Sequence, residues 1–144
     1  MQETTLEIRE GSWDELGQEA TEIRRIVFIE EQRVPVEEEW DGLDDACRHF
    51  LAWLDGDPVG TARLLPDAHI GRVAVLEPYR GQGIGVALMR AAIEAARREG
   101  HSTVELAAQT HALAFYERLG FEAFGVTFME AGILHRNMVH RLTD

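Results

Sequence analysis

The stretch that most restricts what this chain can fold into is Arg80-Gly81-Gln82-Gly83-Ile84-Gly85. An apolar run, Ile70 to Leu76, precedes it, and a helix-like run, Val86 to Arg98, follows it. A strand that ends in a glycine-rich turn and feeds a helix leaves backbone N–H groups without partners at the helix start. Those donors, together with the positive end of the helix dipole, suit a phosphate group. Arg80 adds a planar fork that matches phosphate oxygens. The expected occupant is a small molecule carrying a pyrophosphate.

Two familiar phosphate loops do not fit. A Walker-type loop needs a lysine after its second glycine. This chain has no lysine, since all 14 of its Lys+Arg residues are arginine. The dinucleotide fingerprint spaces its glycines as G-x-G-x-x-G. Here Gly81, Gly83 and Gly85 simply alternate, with Leu88 where a later glycine would sit.

The order of apolar strand, Arg80-to-Gly85 loop and helix resembles the acyl-CoA-binding motif of the GNAT superfamily of N-acetyltransferases, R/Q-x-x-G-x-G/A. A second block, Ala112-Leu113-Ala114-Phe115-Tyr116-Glu117-Arg118-Leu119-Gly120-Phe121, resembles a later helix of that superfamily, with its A-x-x-x-Y-x-x-x-G-F ending. Arg25 to Pro35, Gln109-Thr110-His111 and Glu130 to His135 resemble the ElaA-like branch. The likeness covers nearly the whole chain. It implies one domain over residues 1–144, with a mixed, mostly antiparallel central β-sheet flanked by helices on both faces.

The resemblance also implies a function. The activity would be an acetyl-CoA-dependent N-acetyltransferase, passing acetyl directly to a primary amine of a small molecule or peptide. No activated nucleophile is apparent that would argue for a covalent detour. Acetyl-CoA would be the cosubstrate. Backbone groups of Val73, Ala74 and Val75 would hold its pantetheine arm, one N–H serving the oxyanion. Arg80, Gly81, Gln82, Gly83, Ile84, Gly85 and Val86 would hold its pyrophosphate. Tyr116 would lie near the sulfur as general acid, since a phenol of pKa about 10 can protonate a departing thiolate. Glu31 and His135 are the catalytic candidates for accepting the amine proton, with Gln32, His49, His111 and Glu130 as further residues to consider. Gln109-Thr110-His111 departs from the Asn often found there in the superfamily. Arg118 or Arg72 could reach a phosphate, though each reads better as a surface arginine. Dimers are common in the superfamily, so a homodimer is also expected.

Periodicity supports the same class without specifying the topology. Ser12 and Glu15 form a capping-box pattern ahead of apolar positions Trp13, Leu16, Ala20, Ile23 and Val27, which predicts an amphipathic helix to about Gln32. Pro35 ends it. Residues 49–54 and 59–65, joined through Asp55-Gly56-Asp57-Pro58, predict a hairpin. Residues 103–107 predict a strand and 111–119 a helix. Strands are expected at 121–126 and 137–142, with an irregular segment between them. Such alternation gives an α/β sandwich.

Charge narrows the partners. The net charge is −12. Residues 1–58 hold 17 acidic side chains against 5 arginines, and residues 59–144 hold 9 of each. Nucleic acid and anionic membrane surfaces are disfavoured by that balance, whereas a cationic amine is favoured. No apolar run approaches the roughly 20 residues of a membrane span. The start, Met-Gln-Glu-Thr-Thr, lacks signal-peptide features. The single Cys47 fits a reducing, cytoplasmic setting. Cys47 and His49 have no partners at zinc spacing, so no metal is expected. Two other readings keep the same residues: a non-catalytic acyl-CoA sensor, and an interaction module whose acidic surface grips a basic partner.

Overall fold

The computed structural model describes residues 5–142. Strand β1 (Leu6–Gly11) runs into helix α1 (Trp13–Arg24) through the predicted capping box. Ser12 N donates to Glu15 Oε1 at 2.9 Å, and Glu15 N donates to Ser12 Oγ at 3.3 Å. Two of the orphan donors at the helix start are thereby satisfied. The expected regular helix to Gln32 is corrected here. From Arg25 to Glu31 the chain continues as a π-helix, whose end is marked by Gln32 N donating to Val27 O at 3.1 Å. A five-residue hydrogen-bond step widens the coil and turns its side chains out of α-helical phase.

Pro35 ends this segment, and a four-residue helix, α2 (Val36–Glu39), follows. Strands β2 (Arg48–Leu54), β3 (Asp57–Leu64) and β4 (Ile70–Val75) join β1 in an antiparallel sheet of order β1-β2-β3-β4. Helix α3 (Ile84–Arg98) leads to β5 (Thr103–Gln109). A single 3₁₀ turn and the short helix α4 (Leu113–Glu117) replace the longer helix expected over 111–119. Strands β6 (Glu122–Glu130) and β7 (Ile133–Arg141) complete a second antiparallel sheet, β5-β7-β6.

The segment expected to be irregular between 126 and 137 is a tight hairpin. Ala131 and Gly132, at φ 52° and 76°, make its two-residue turn, the primed geometry that matches strand twist. Alanine seldom adopts positive φ, so Ala-Gly hides this turn from sequence reasoning.

Two cores sandwich the first sheet. On one side α3 buries Ile84, Leu88, Met89 and Ala92 against Phe50, Ala52 and Leu64. On the other, Leu16, Ile23, Val27 and Phe28 cover Leu51 and Ala74. Leu88 and Met89 are fully buried, each contributing roughly 1.5–3 kcal/mol in area terms. Helices therefore lie on both faces, as expected. Along β4, Ile70, Val73 and Val75 face the α3 core whereas Ala74 faces α1. The jump from 70 to 73 breaks the two-residue period of a strand, and Arg72 lies inside the break.

Candidate active site

The parallel neighbours β4 and β5 separate almost as soon as they meet. One bridge, His69 with Glu105, joins them, supported by Glu105 N donating to Ala68 O at 3.1 Å. No further ladder pairing connects β4 to β5 among the described residues. Beyond the bridge the strands splay around a cleft of about 1190 Å³, lined by Val73, Ala74 and Val75 on one side and Ala107 and Gln109 on the other.

Strand β4 carries a bulge at the mouth of this cleft. Gly71 pairs with Arg63 and Ala74 with Thr61. Arg72 and Val73 thus stand opposite one residue, Ala62, and leave the regular ladder. Arg72 takes φ 51° to make the kink. Buried peptide groups need partners, so groups released from a ladder at a cleft wall are available to a ligand.

At the end of β4 the chain turns through Glu77–Tyr79 into the glycine loop. Gly81 and Gly83 sit at φ 81° and 83°, left-handed values that favour glycine. No side chain caps α3, so its first-turn N–H groups lack intrahelical acceptors. A Cβ added at Gly81 or Gly83 would meet nothing within 4 Å; the loop faces open space. These features fit an anionic group at a helix start. Ile84 contributes only its backbone there, because its side chain is buried in the α3 core.

Arg80 stands differently from a free phosphate ligand. Its Nη1 and Nη2 donate to the two carboxylate oxygens of Glu31 at 2.8 and 2.7 Å, and its Nε donates to Val75 O at 2.8 Å. Glu31, reached through the π-helical segment, is consequently held below the ordinary carboxylate pKa by the Arg80 hydrogen bonds. A carboxylate so occupied is a weak proton acceptor.

His135 is the better placed of the two candidate bases. It is buried, lines the cleft and stacks on Phe128 with ring centroids 5.9 Å apart. Its Nδ1 lies 2.7 Å from Ile133 O. A carbonyl only accepts, so Nδ1 carries the proton and a neutral His135 keeps its lone pair on Nε2. Glu130 Oε2 is 3.8 Å from that nitrogen. Tyr116 also lines the cleft, edge-on to Phe115 and Phe121. Burial pushes its phenol up to about 12. Gln109 donates to Gln32 Oε1 at 2.8 Å and accepts from His111 Nε2 at 2.7 Å, which ties the end of β5 to the first helical segment. His49, in contrast, is buried beside Trp13 and donates to Asp44 O at 2.9 Å.

One wall of the cleft is a buried ionic network that sequence reasoning missed. Arg24 Nε meets Glu39 Oε2 at 2.7 Å, and Arg24 Nη1 meets Asp44 Oδ1 at 2.7 Å. Arg63 reaches Asp44 at 3.0 Å and Asp41 at 2.5 Å. Trp40 covers Arg24 at 4.9 Å. Burial alone would raise Asp44, yet the Arg24 and Arg63 bonds outweigh it and hold the carboxyl low. Asp41 is lowered further, chiefly by its Arg63 hydrogen bonds. Arg72, read from sequence as a surface arginine, belongs to this network. The available signal was the density of acidic residues over 37–45 facing arginines in predicted strands. No group of three metal-ligating side chains occurs among the described residues.

A splayed sheet, a bulged strand and an uncapped helix behind a glycine loop agree with a sequence comparison: the profile of the acetyltransferase (GNAT) family matches residues 9–121. The chain belongs to that family. The GNAT chain is 35% identical over 130 residues to the uncharacterised N-acetyltransferase YjcF of Bacillus subtilis, covering 88% of this chain and 93% of that protein. Escherichia coli ElaA superposes with a TM-score of 0.83 at 31% identity, over 95% of this chain and 100% of the other. An acyl-CoA N-acyltransferase from Pseudomonas aeruginosa gives 0.82 at 34%, over 94% and 99%. The GNAT chain is therefore an N-acetyltransferase with an acyl-CoA cosubstrate. Among the described residues no helix is long and apolar enough to cross a membrane.

Proposed function

We propose that this N-acetyltransferase moves acetyl from acetyl-CoA directly to a primary amine of a small molecule or peptide. The observation that carries the reading is the convergence on one cleft of the β4 bulge, Tyr116 and His135, beside the open glycine loop. The loop N–H groups from Gly81 to Val86 hold the diphosphate, and the backbone of Val73, Ala74 and Val75 holds the pantetheine arm. Acetyl-CoA supplies the activated carbonyl.

His135 Nε2 takes a proton from the amine, whose nitrogen forms the new bond to the acetyl carbon. An N–H freed by the bulge stabilises the carbonyl oxygen as it gains negative charge. The carbon–sulfur bond breaks, and Tyr116 Oη–H donates a hydrogen bond to the departing sulfur. A phenol near 12 keeps its proton throughout the working range. The same shift weakens it as an acid, so full transfer to a thiolate of pKa about 8.5 is uphill unless coupled to bond breaking. A neutral amine loses one proton, taken by His135 and balanced by the one that the sulfur gains; an acceptor that arrives as an ammonium first releases a further proton to solvent. Glu31 serves in this scheme to hold Arg80. The exposed carboxylates of Glu37, Glu38 and Glu130 on the cleft wall favour a cationic acceptor.

Incubation with acetyl-CoA and an amine panel is expected to release free CoA thiol. Tyr116→Phe should lower turnover about 100-fold, with CoA affinity by calorimetry unchanged. Equal turnover in the variant would remove Tyr116 from the chemistry, and no thiol release with any amine would sink the reading as a whole.

A further inference from the structure

The bulge in β4 is made by the wrong residue for a purely structural kink. Gly71, the residue with free backbone choice, lies immediately before it, and a Cβ there would meet nothing within 4 Å. Yet the left-handed conformation, φ 51°, falls on Arg72, where a side chain makes it costly. Something that a glycine could not provide must hold Arg72 in that state.

The guanidinium supplies it. Arg72 Nη2 donates to Glu38 O at 3.2 Å, to Glu39 O at 3.0 Å and to Asp41 Oδ2 at 3.3 Å. Those acceptors are spread along residues 38–41, at the end of α2 and just beyond it, on the cleft wall. Nε lies 3.2 Å from Glu39 Oε2, buried and out of line for a hydrogen bond. Carbonyls at the end of a helix that nothing follows are natural acceptors for such a donor. Asp41 and Glu39 are themselves fixed by Arg63 and Arg24. One side chain therefore joins the bulge of β4 to the 38–41 wall.

We propose that Arg72 is a positioning residue, clamping the 38–41 wall to the bulge so that the shape of the acceptor side and the aim of the freed Arg72–Val73 peptide are set together. The proposal rests on the acetyltransferase reading for its effect on turnover. The clamp itself is independent of that reading. Its loss leaves the glycine loop intact and loosens the wall against which the amine docks.

Arg72→Gly tests it, because glycine accepts the left-handed backbone and removes the clamp. The variant should fold with a thermal midpoint close to the parent's and bind CoA within about twofold of it. Amide hydrogen exchange at residues 36–41 should quicken at least tenfold, while exchange in β2 and β3 stays unchanged. With an accepted amine, KM for the amine should rise and kcat fall, for a combined loss in kcat/KM of tenfold or more. Unchanged exchange at 36–41 overturns the clamp whether or not the protein acetylates anything. Faster exchange with an unaltered amine kcat/KM overturns the positioning role. A protein that binds CoA and never acetylates an amine would defeat the functional reading and leave the exchange result to decide the clamp.

Discussion

Two regions that border the cleft handle polar groups in opposite ways. On the wall formed by α1, α2 and the middle strands, Arg24, Arg63 and Arg72 face Glu39, Asp41 and Asp44, and all but the buried Nε of Arg63 and of Arg72 among their hydrogen-bonding groups named above find partners within the protein. In the loop from Arg80 to Val86, backbone donors are left open and two glycines hold left-handed turns over empty space. The saturated side is a scaffold, since its charges gain nothing from a ligand. The unsaturated side leaves its donors free, which is what the proposed diphosphate contact requires. Sequence composition gives both regions a similar polar look; pairing separates them.

The largest effect should come from unbalancing the saturated wall. Arg24→Ala takes from the buried Glu39 carboxylate its one aligned hydrogen-bond donor and leaves Asp44 with Arg63 alone. A loss of about 3–5 kcal/mol of unfolding free energy is expected, measurable in urea. A loss below about 1 kcal/mol would mean that water reaches the network freely. Acidification attacks the same wall and the Glu31–Arg80 pair. Asp41, Asp44 and Glu31 all have folded-state pKa values below their unfolded ones. Their stabilisation is complete above about pH 5 and is lost as pH falls through the lowered folded values. Urea midpoints should therefore drop between about pH 5 and pH 2. A flat profile there would contradict the pairing.

On the open side, Gly83→Val forces a β-branched residue to φ 83°, a strain of about 1–3 kcal/mol. CoA affinity should fall about 5- to 100-fold, with a far smaller loss of global stability than Arg24→Ala causes. If calorimetry gave equal affinity, the loop backbone would not be the anion site. The smallest effect belongs to Glu31→Gln, which acts on the Arg80 pair that joins the two sides. Both partners are more than a third exposed, so the pair is worth about 1 kcal/mol at most. CoA should bind slightly more tightly once a negative charge leaves the loop, by less than about fivefold. A drop of about 100-fold in turnover would instead make Glu31 the proton acceptor.

What the sequence made legible was the part governed by local rules. Ser12 and Glu15 announced a helix start, and glycine spacing with its flanking strand and helix marked the loop. Arg72 shows why the rest was hidden. Its left-handed backbone lies next to a glycine that does not need it, and its partners are 33 and 34 positions away in the chain. The Glu31–Arg80 pair spans 49 positions and depends on a π-helical phase that periodicity cannot signal. Tertiary pairing of charges leaves no period to read.

The absence of lysine now takes on a chemical meaning. Each Lys/Arg-type cation on the cleft wall is a guanidinium, which stays charged and non-nucleophilic at any pH the enzyme meets. On the proposed reading, a lysine at position 72, on the bulge, would bring a primary amine of the protein's own toward the activated acyl group. By using arginine alone, the chain keeps its internal fasteners from becoming its own acceptors.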